Sequence, residues 1–541
     1  MQTSRRSFLS RAAAGLGLAG SGSLLVPAAQ AAESGAAFDE IYDIVVVGSG
    51  ISGTMAALVA ARSGAKTLLI EKLNRLGGTS RYSALDFSCV GSDRQKAEGI
   101  EDTPEAMVDD MSKVAGGLAD RERALNVARN TARAQKVMAD HGVKWKNLLK
   151  LGGHSAKRCL IAEGGGAGIL RSLWASFERY PNLTVMPSTK LDELSLDETG
   201  VTGVVVRTHY LFDASLASDD RDNKSGAVKR FGARQGVIMA TGGYARNYKM
   251  IEALQPWNLR IVGRTGAMPG ARGDGIRACL WAGAKMDETH SMMMFDRCAI
   301  RPDQKPGRET IESGDSGFFW MGSQPWLKLD SDGKRFMNES GTYENVLHSN
   351  EYHKDHAHYT LFDSNWVKYA EAFKMHGCSR MFPFENGAEP NIPWQVVEQK
   401  MLPELVEKGY VKKADTLEDL AHALGLPVDA VEASVNRHNE LYAKGEDVDF
   451  GKEKHRLSAI DKPPFYGAKN VGWMLCTMDG IHINTDLNAM DPDGKPIPGL
   501  YVIGNDSGCY FANEYPNLAT GMACGRTVTF GRIVGLKLAR S

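Results

Sequence analysis

Four short apolar runs, each closed by glycine or an acid, set the rhythm of this chain. Ile44-Val-Val-Val47 runs into Gly48, and Thr67-Leu-Leu-Ile70 into Glu71. Val237-Ile-Met-Ala240 runs into Thr241-Gly-Gly243, and Leu500-Tyr-Val-Ile503 into Gly504. Continuous aliphatic runs of this length predict strands buried on both faces, as in a parallel sheet. Between them the period changes. Residues 103–142 carry good helix formers behind candidate caps at Thr103 and Asp120. Helical runs are also predicted at 169–178, after a glycine cluster, from Arg272-Gly-Asp-Gly-Ile276 to about Ala284, and at 518–538. From Leu183 to Val205 short β-branched runs alternate with turn residues, which predicts an antiparallel meander, and the polar residues 212–226 predict a loop.

Residues 290–465 break this rhythm and are rich in aromatics and Met. Leu327-Lys-Leu-Asp-Ser-Asp-Gly-Lys-Arg-Phe336 predicts a hairpin about an Asp-Gly turn. Thr416 caps one predicted helix, and Pro427 opens another that runs to about Lys444. Strand–glycine–helix signals therefore flank a foreign stretch. The expected fold class is α/β: a Rossmann-like domain in two parts, residues 40–290 and 466–541, with an α+β capping domain inserted at 291–465.

The first 31 residues stand apart. Ser4-Arg5-Arg6-Ser7-Phe8-Leu9 is a twin-arginine signal pattern, and Ala29-Gln30-Ala31 is a small-x-small cleavage site. The expectation is a protein exported folded, with its cofactor, to the periplasm or another extracytoplasmic space. Cleavage after Ala31 would leave 510 residues and move the net charge from −1 to −4. That balance gives no reason to expect nucleic acid as a partner. The eight cysteines contain no CxxC or CxxCH spacing, so neither a c-type haem nor a metal site is expected. Buried free thiols are the expectation for most of them.

The chemistry starts at Gly48-Ser-Gly50-Ile-Ser-Gly53, which follows a predicted strand and opens a predicted helix. Glu71 lies 23 residues after Gly48, at the end of the second strand. Together these form a dinucleotide-binding fingerprint with its ribose acid. Gly48 permits the tight turn, Gly50 lets the backbone approach a pyrophosphate, and Gly53 lets the helix pack close to the strand.

With these motifs in place, the mature chain resembles the flavoprotein family of soluble fumarate reductase, the succinate dehydrogenase flavoprotein, urocanate reductase and the 3-ketosteroid dehydrogenases. The resemblance rests on Val47–Gly53, Glu71-Lys72, Gly77-Gly-Thr-Ser80, Ala240-Thr-Gly-Gly243, Gly273-Asp-Gly275, Gly333–Glu339, Pro498–Gly504 and Thr529-Phe-Gly-Arg532. It implies FAD. By resemblance Ser49, Ser52 and Lys72 belong to the cofactor site, Glu71 holds the adenosine ribose, and Gly78, Thr79 and Ser80 follow the pyrophosphate and flavin. Ala240, Thr241, Gly242 and Gly243 pass near the adenine, Asp274 lies close to the cofactor, and Gly504 with Asn505 closes over the ribityl chain. The family usually carries an acid where Asn505 stands. Its reaction is hydride transfer between flavin N5 and an activated C=C or CH–CH unit, with a protein group handling the second proton.

Fumarate reductases hold a dicarboxylate with two arginines and two histidines. Counting from neighbouring motifs places those positions at Gly322, Leu518, Cys476 and Met294, all neutral. A dicarboxylate there would lose several charge-assisted bonds worth ~1.5–3 kcal/mol each, which argues against fumarate or succinate. Met292–Phe295, Phe318–Met321 and Trp326 lie near these positions. They read either as an apolar, aromatic-lined pocket for a larger, mostly uncharged substrate or as core packing of the cap. Tyr515-Pro516 is similar to the Tyr-Pro pair of the 3-ketosteroid dehydrogenases, whose tyrosine meets the substrate carbonyl. Tyr515 is thus the leading catalytic candidate, with a structural hydrogen bond as its other reading, and Glu514 and Asp479 rank below it. His290 reads as a satisfied core histidine.

The expected function is an exported FAD-dependent reductase of an enone, enoate or unsaturated lactone on a hydrophobic or aromatic body. A separate protein, a cytochrome or a membrane quinol-linked protein, would supply electrons. The alternatives are a 3-ketosteroid-type dehydrogenase and a flavin electron-transfer subunit without a substrate.

Overall fold

The computed structural model describes residues 37–117, 120–216, 222–373, 377, 379–511 and 514–541. The expected leader, residues 1–31, lies outside them.

The four apolar runs meet in one sheet. Pro496–Val502, Ala227–Met239, Glu40–Val47, Thr67–Ile70 and Leu183–Met186 lie side by side and all pair in parallel. Ile44, Val45, Val46, Leu68 and Val237 are fully buried, as continuous apolar strands between covered faces should be. Leu183–Met186 is therefore a parallel strand of this sheet, whereas the meander expected from 183 begins only with Thr189–Asp197 and Gly200–Thr208. The parallel strand forms because Thr67–Ile70 still has a free edge when the chain returns.

Helix Ile51–Arg62 packs under the sheet, and the last helix, Met522–Leu538, crosses it at van der Waals contact. A Cβ on Gly531 would lie 2.4 Å from Ser52 O, and one on Gly535 would lie 2.4 Å from Ala56 O. These glycines are what let the C-terminus close the nucleotide-binding domain. The caps expected at Thr103 and Asp120 are present: their side chains accept from Ala106 N and Arg123 N.

A second sheet is centred on Phe465–Thr477, which pairs antiparallel with Met292–Ile300 and His358–Phe362 and parallel with Val262–Thr265. This sheet draws on both sides of the expected boundaries at 290 and 465, because Val262–Thr265 comes before the first and Phe465–Thr477 runs past the second. Thr416 caps Leu417–Leu424, and Val428–Lys444 follows Pro427. Cys89, Cys279, Cys298, Cys476, Cys509 and Cys524 are free thiols, and Cys378 lies outside the described residues.

Candidate functional site

A cavity of about 580 Å³ opens where the C-terminal ends of the parallel strands face the second sheet. At one end the glycine turns form its floor. Gly48 has φ +103, and a Cβ there would meet Ala240 O at 2.3 Å; one on Gly53 would meet Gly48 O at 1.9 Å. Both glycines serve close packing, and Gly53 is turned away from the cavity. Gly50, Gly78 and Gly242 line it instead. A Cβ on Gly78 or Gly242 meets no atom within 4 Å, and one on Gly50 none nearer than Ser80 Oγ at 3.7 Å. This is a cradle that side chains would fill, as close backbone approach to a pyrophosphate requires.

The polar groups fit the same occupant. Glu71, buried at the end of its strand, accepts from Ser49 N at 3.1 Å, Ser49 Oγ at 2.6 Å and Leu73 N at 2.9 Å. Ser80 Oγ accepts from Ile51 N at the start of the helix, and Thr79 Oγ1 accepts from Met268 N. Lys72 pairs with Asp274 at 2.5 Å, and Arg277 pairs with it at 2.6 Å. Burial works against the Asp274 charge, but these cations outweigh it and hold the carboxyl below its usual value. Ser52, Ala240, Thr241 and Asn505 also line the cavity. Gly243 and Gly504 stand behind it, where a Cβ would meet Thr477 Oγ1 at 2.3 Å or Ser52 Oγ at 2.5 Å.

Asn505 stands where the family usually carries an acid, and the residue after it is an acid that faces away from the cavity. Asp506, fully buried, accepts from Thr241 Oγ1, Thr241 N and Gly243 N and so ties the C-terminal segment to the central glycine loop. Burial nonetheless raises its carboxyl above the ordinary value. Asn505 points the other way and accepts from Arg526 Nη2 at 3.2 Å.

The far end of the cavity decides between the two readings of the Met and aromatic residues, and strand alternation is the reason. On Met292–Ile300, Met293, Phe295 and Arg297 line the cavity, and on the paired strand Trp473 and Leu475 do so. Phe318 and Trp320 complete this wall, with Phe318 edge-on to Trp473 at 4.9 Å. Met292, Met294, Phe319, Met321 and Trp326 are core.

Of the four positions placed by counting, only Cys476 reaches the cavity, its thiol pushed up to about 12 by burial. Met294 is turned to the opposite face, with its N–H donating to Glu344. Gly322 is sealed in the cap, where a Cβ would meet Asp296 O at 2.0 Å. Leu518 gives its carbonyl to Gly153 N, while Asn517 and Thr520 on either side line the cavity. The expected apolar pocket is also corrected. Arg297 brings a guanidinium to the wall, stacked 3.8 Å from Trp320 and 4.4 Å from Phe295, and bonded to Ser323 and Ser379. Its every-second-residue spacing from Met293 and Phe295 was the sequence signal for it.

The catalytic candidates separate in the same way. Tyr515 lines the cavity, buried, with its hydroxyl accepting a long 3.5 Å contact from Ala523 N at the start of the last helix. Glu514 points away and accepts from Thr342 Oγ1 at 2.5 Å. Asp479 is locked in a network outside the cavity with Tyr244 Oη and His290 Nδ1, each at 2.7 Å. Burial raises Asp479, with His290 and Tyr244 partly offsetting it. Glu344, not anticipated from the sequence, accepts the N–H groups of both Met294 and Tyr515. Its burial pushes the carboxyl well above the usual range.

Comparison with known proteins agrees with this geometry. The profile of the FAD binding domain family matches residues 43–517. The vinyl phenol reductase of Lactiplantibacillus plantarum is 30% identical over 505 residues, covering 92% of this chain and 96% of the relative. The acrylate reductase flavoprotein subunit of Shewanella woodyi is 28% identical, covering 93% and 92%. The open conformation of a flavocytochrome c3 fumarate reductase shares the fold, with a TM-score of 0.68 and 23% identity over 100% of this chain and 81% of that one. The chain therefore belongs to the FAD binding domain family and is an FAD-dependent oxidoreductase acting on C=C or CH–CH groups.

Proposed function

We propose that this protein is an exported reductase of an activated C=C bond carried on an aromatic or otherwise apolar body, as an enone, enoate or unsaturated lactone. One observation carries this reading: the glycine cradle and the aromatic wall bound the same cavity. Bound FAD supplies the hydride. The chain's own groups bind and orient the alkene. Phe295, Phe318 and Trp473 form a surface for a ring, and Arg297 beside them offers a cation to a carbonyl or carboxylate. Aromatic faces and a few placed polar groups are the usual make-up of such sites. Tyr515 lines the same cavity as a neutral donor to the carbonyl, and the packed second sheet excludes water. Electrons arrive from a separate donor, a cytochrome or a membrane quinol-linked protein, in the extracytoplasmic space to which the twin-arginine signal directs the chain.

The named reductions of vinyl phenol and acrylate by similar proteins support a short conjugated alkene as the reacting unit. In the test, viologen-reduced protein is offered 4-vinylphenol, cinnamate, acrylate, fumarate and a 3-ketosteroid enone while flavin reoxidation is followed. Aromatic alkenes are expected to reoxidise it fastest. Reoxidation by fumarate alone would overturn the substrate reading. Reoxidation by none, with fast exchange to a cytochrome, would replace it with an electron carrier.

A further inference from the structure

Three carboxyl side chains line the cavity among the described residues: Glu71, Asp86 and Asp274. Two are engaged, Glu71 by Ser49 and Leu73, and Asp274 by Lys72 and Arg277. Asp86 differs. Its residue is 9% exposed, and its buried Oδ1 has no hydrogen-bond partner. A buried acceptor left open costs about 1–3 kcal/mol, so an unengaged carboxyl in a reaction cavity calls for a functional account.

The backbone holds Asp86 firmly in this position. Leu85 before it adopts φ +49, unusual for a branched residue. The Leu85 carbonyl accepts from Cys524 Sγ, and the Asp86 carbonyl packs against Gly521, which precedes the last helix. Asp86 is thereby set on the same wall as Thr520, Gly521 and Cys524, the wall that also carries Tyr515.

We propose that Asp86 is the proton donor of the reaction, delivering a proton to the alkene carbon that does not receive hydride. The inference rests on the alkene-reductase reading above. In the balanced step the C=C π bond breaks and two C–H bonds form. One carbon gains hydride, with both electrons from reduced FAD, and the other gains the proton of the Asp86 carboxyl. The carboxylate then recovers one proton from solvent, and two electrons from the external donor with a second solvent proton restore the reduced flavin. Tyr515 is left to orient the carbonyl, and Glu514 and Asp479 are too far committed elsewhere to serve.

The proton affinity suits the task. Burial raises the Asp86 carboxyl to about 6, with no other cause contributing. From the last helix the Cys524 thiol faces it, itself pushed far up by burial. Behind Ser88, His154 is bonded to the Thr520 carbonyl and lowered to about 4 by burial, so it stays neutral. A general acid near the working pH is the efficient choice.

The test compares full-length FAD-loaded wild type with Asp86→Asn and Asp86→Ala. FAD content, visible spectrum and reduction by viologen should be unchanged. Reoxidation by 4-vinylphenol or cinnamate should slow ~10²–10⁴-fold in Asp86→Asn. Added formate should partly rescue Asp86→Ala, and a carboxyl infrared band titrating near pH 6 should vanish in both variants. An active wild type matched within threefold by Asp86→Asn overturns the inference alone. A wild type that reduces no alkene overturns the reading beneath it, and the inference with it.

Discussion

Asp506 accepts the Gly243 N–H at 2.8 Å across 263 positions of sequence, and the same carboxyl accepts the Thr241 hydroxyl at 2.9 Å. This one side chain joins the returning C-terminal segment to the loop at the end of the central strand. It is the clasp of a nucleotide-binding domain whose two parts are separated by an entire second sheet.

Asp506→Asn replaces an acceptor-only group with one that presents N–H to N–H. The asparagine carbonyl can accept for two of the three donors at most, as Asp506 Oδ1 does for Gly243 N and the Thr241 hydroxyl, and the remaining backbone N–H is left buried against the amide NH2. The expected cost is about 1–3 kcal/mol, together with weaker FAD retention. Melting temperature and FAD stoichiometry after gel filtration check it, and an unchanged melting temperature would show that the clasp is dispensable.

Two glycines of the fingerprint should respond differently to alanine. Gly53→Ala drives a methyl into Gly48 O, 1.9 Å from the ideal Cβ, so the fold itself should suffer. Gly50→Ala meets only Ser80 Oγ at 3.7 Å, so the chain should fold normally but bind FAD poorly. Circular dichroism separates folding from FAD content. Equal folding of both variants would contradict the close helix–strand packing.

Acid should destabilise the second sheet first. Arg335 joins Glu339 at 2.9 Å and Asp447 at 2.7 Å, and Lys452 joins Glu339 at 3.2 Å, with the side chains buried. Burial opposes the Glu339 charge, but Lys452 and Arg335 outweigh it and bring the carboxyl down to about 2. A depressed carboxyl lends stability above its unfolded value of 4.5 that is lost as pH falls toward 2, about 3 kcal/mol in all. Glu339→Gln should flatten this acid limb while costing about 3–5 kcal/mol at pH 7 by leaving buried cations unpaired. Melting curves from pH 3 to 7 decide it, and parallel curves would rule out the network as the cause.

The aromatic wall should set selectivity. Phe318→Ala removes the ring that meets Trp473 edge-on, a contact worth about 0.5–1.5 kcal/mol beyond its buried area. The ratio of kcat/KM for 4-vinylphenol to that for acrylate should fall about tenfold, with FAD content unchanged. A ratio that does not move would place the ring-binding surface elsewhere.

Much of the nucleotide-binding half was legible because its signals are local. The turn at Gly48–Gly53, the acid at Glu71 and the strand ends at 240 and 503 each specify backbone conformation within a few residues. The substrate end was not legible by counting between motifs. A one-residue error on a strand exchanges the cavity face for the core face. Counting falls on Met294, whereas Met293 and Phe295 line the cavity, and on Leu518, whereas Asn517 does. Asn505 and Asp506 are likewise adjacent in sequence but face opposite ways, one to Arg526 and the other to the loop at Gly243.

The sequence by itself determined the α/β class and the cofactor, because glycine spacing and a strand-terminal acid act over short stretches of backbone. Only the tertiary structure decided which carboxyl is free to carry a proton. Glu71, Asp86 and Asp274 are alike as sequence, and their difference lies in what the fold offers each: amide and hydroxyl donors, no hydrogen-bond partner for Asp86 Oδ1, or a pair of cations. The same holds for Arg297, whose place in an aromatic wall follows from strand pairing across 178 positions, Phe295 to Trp473, and not from any neighbour in sequence.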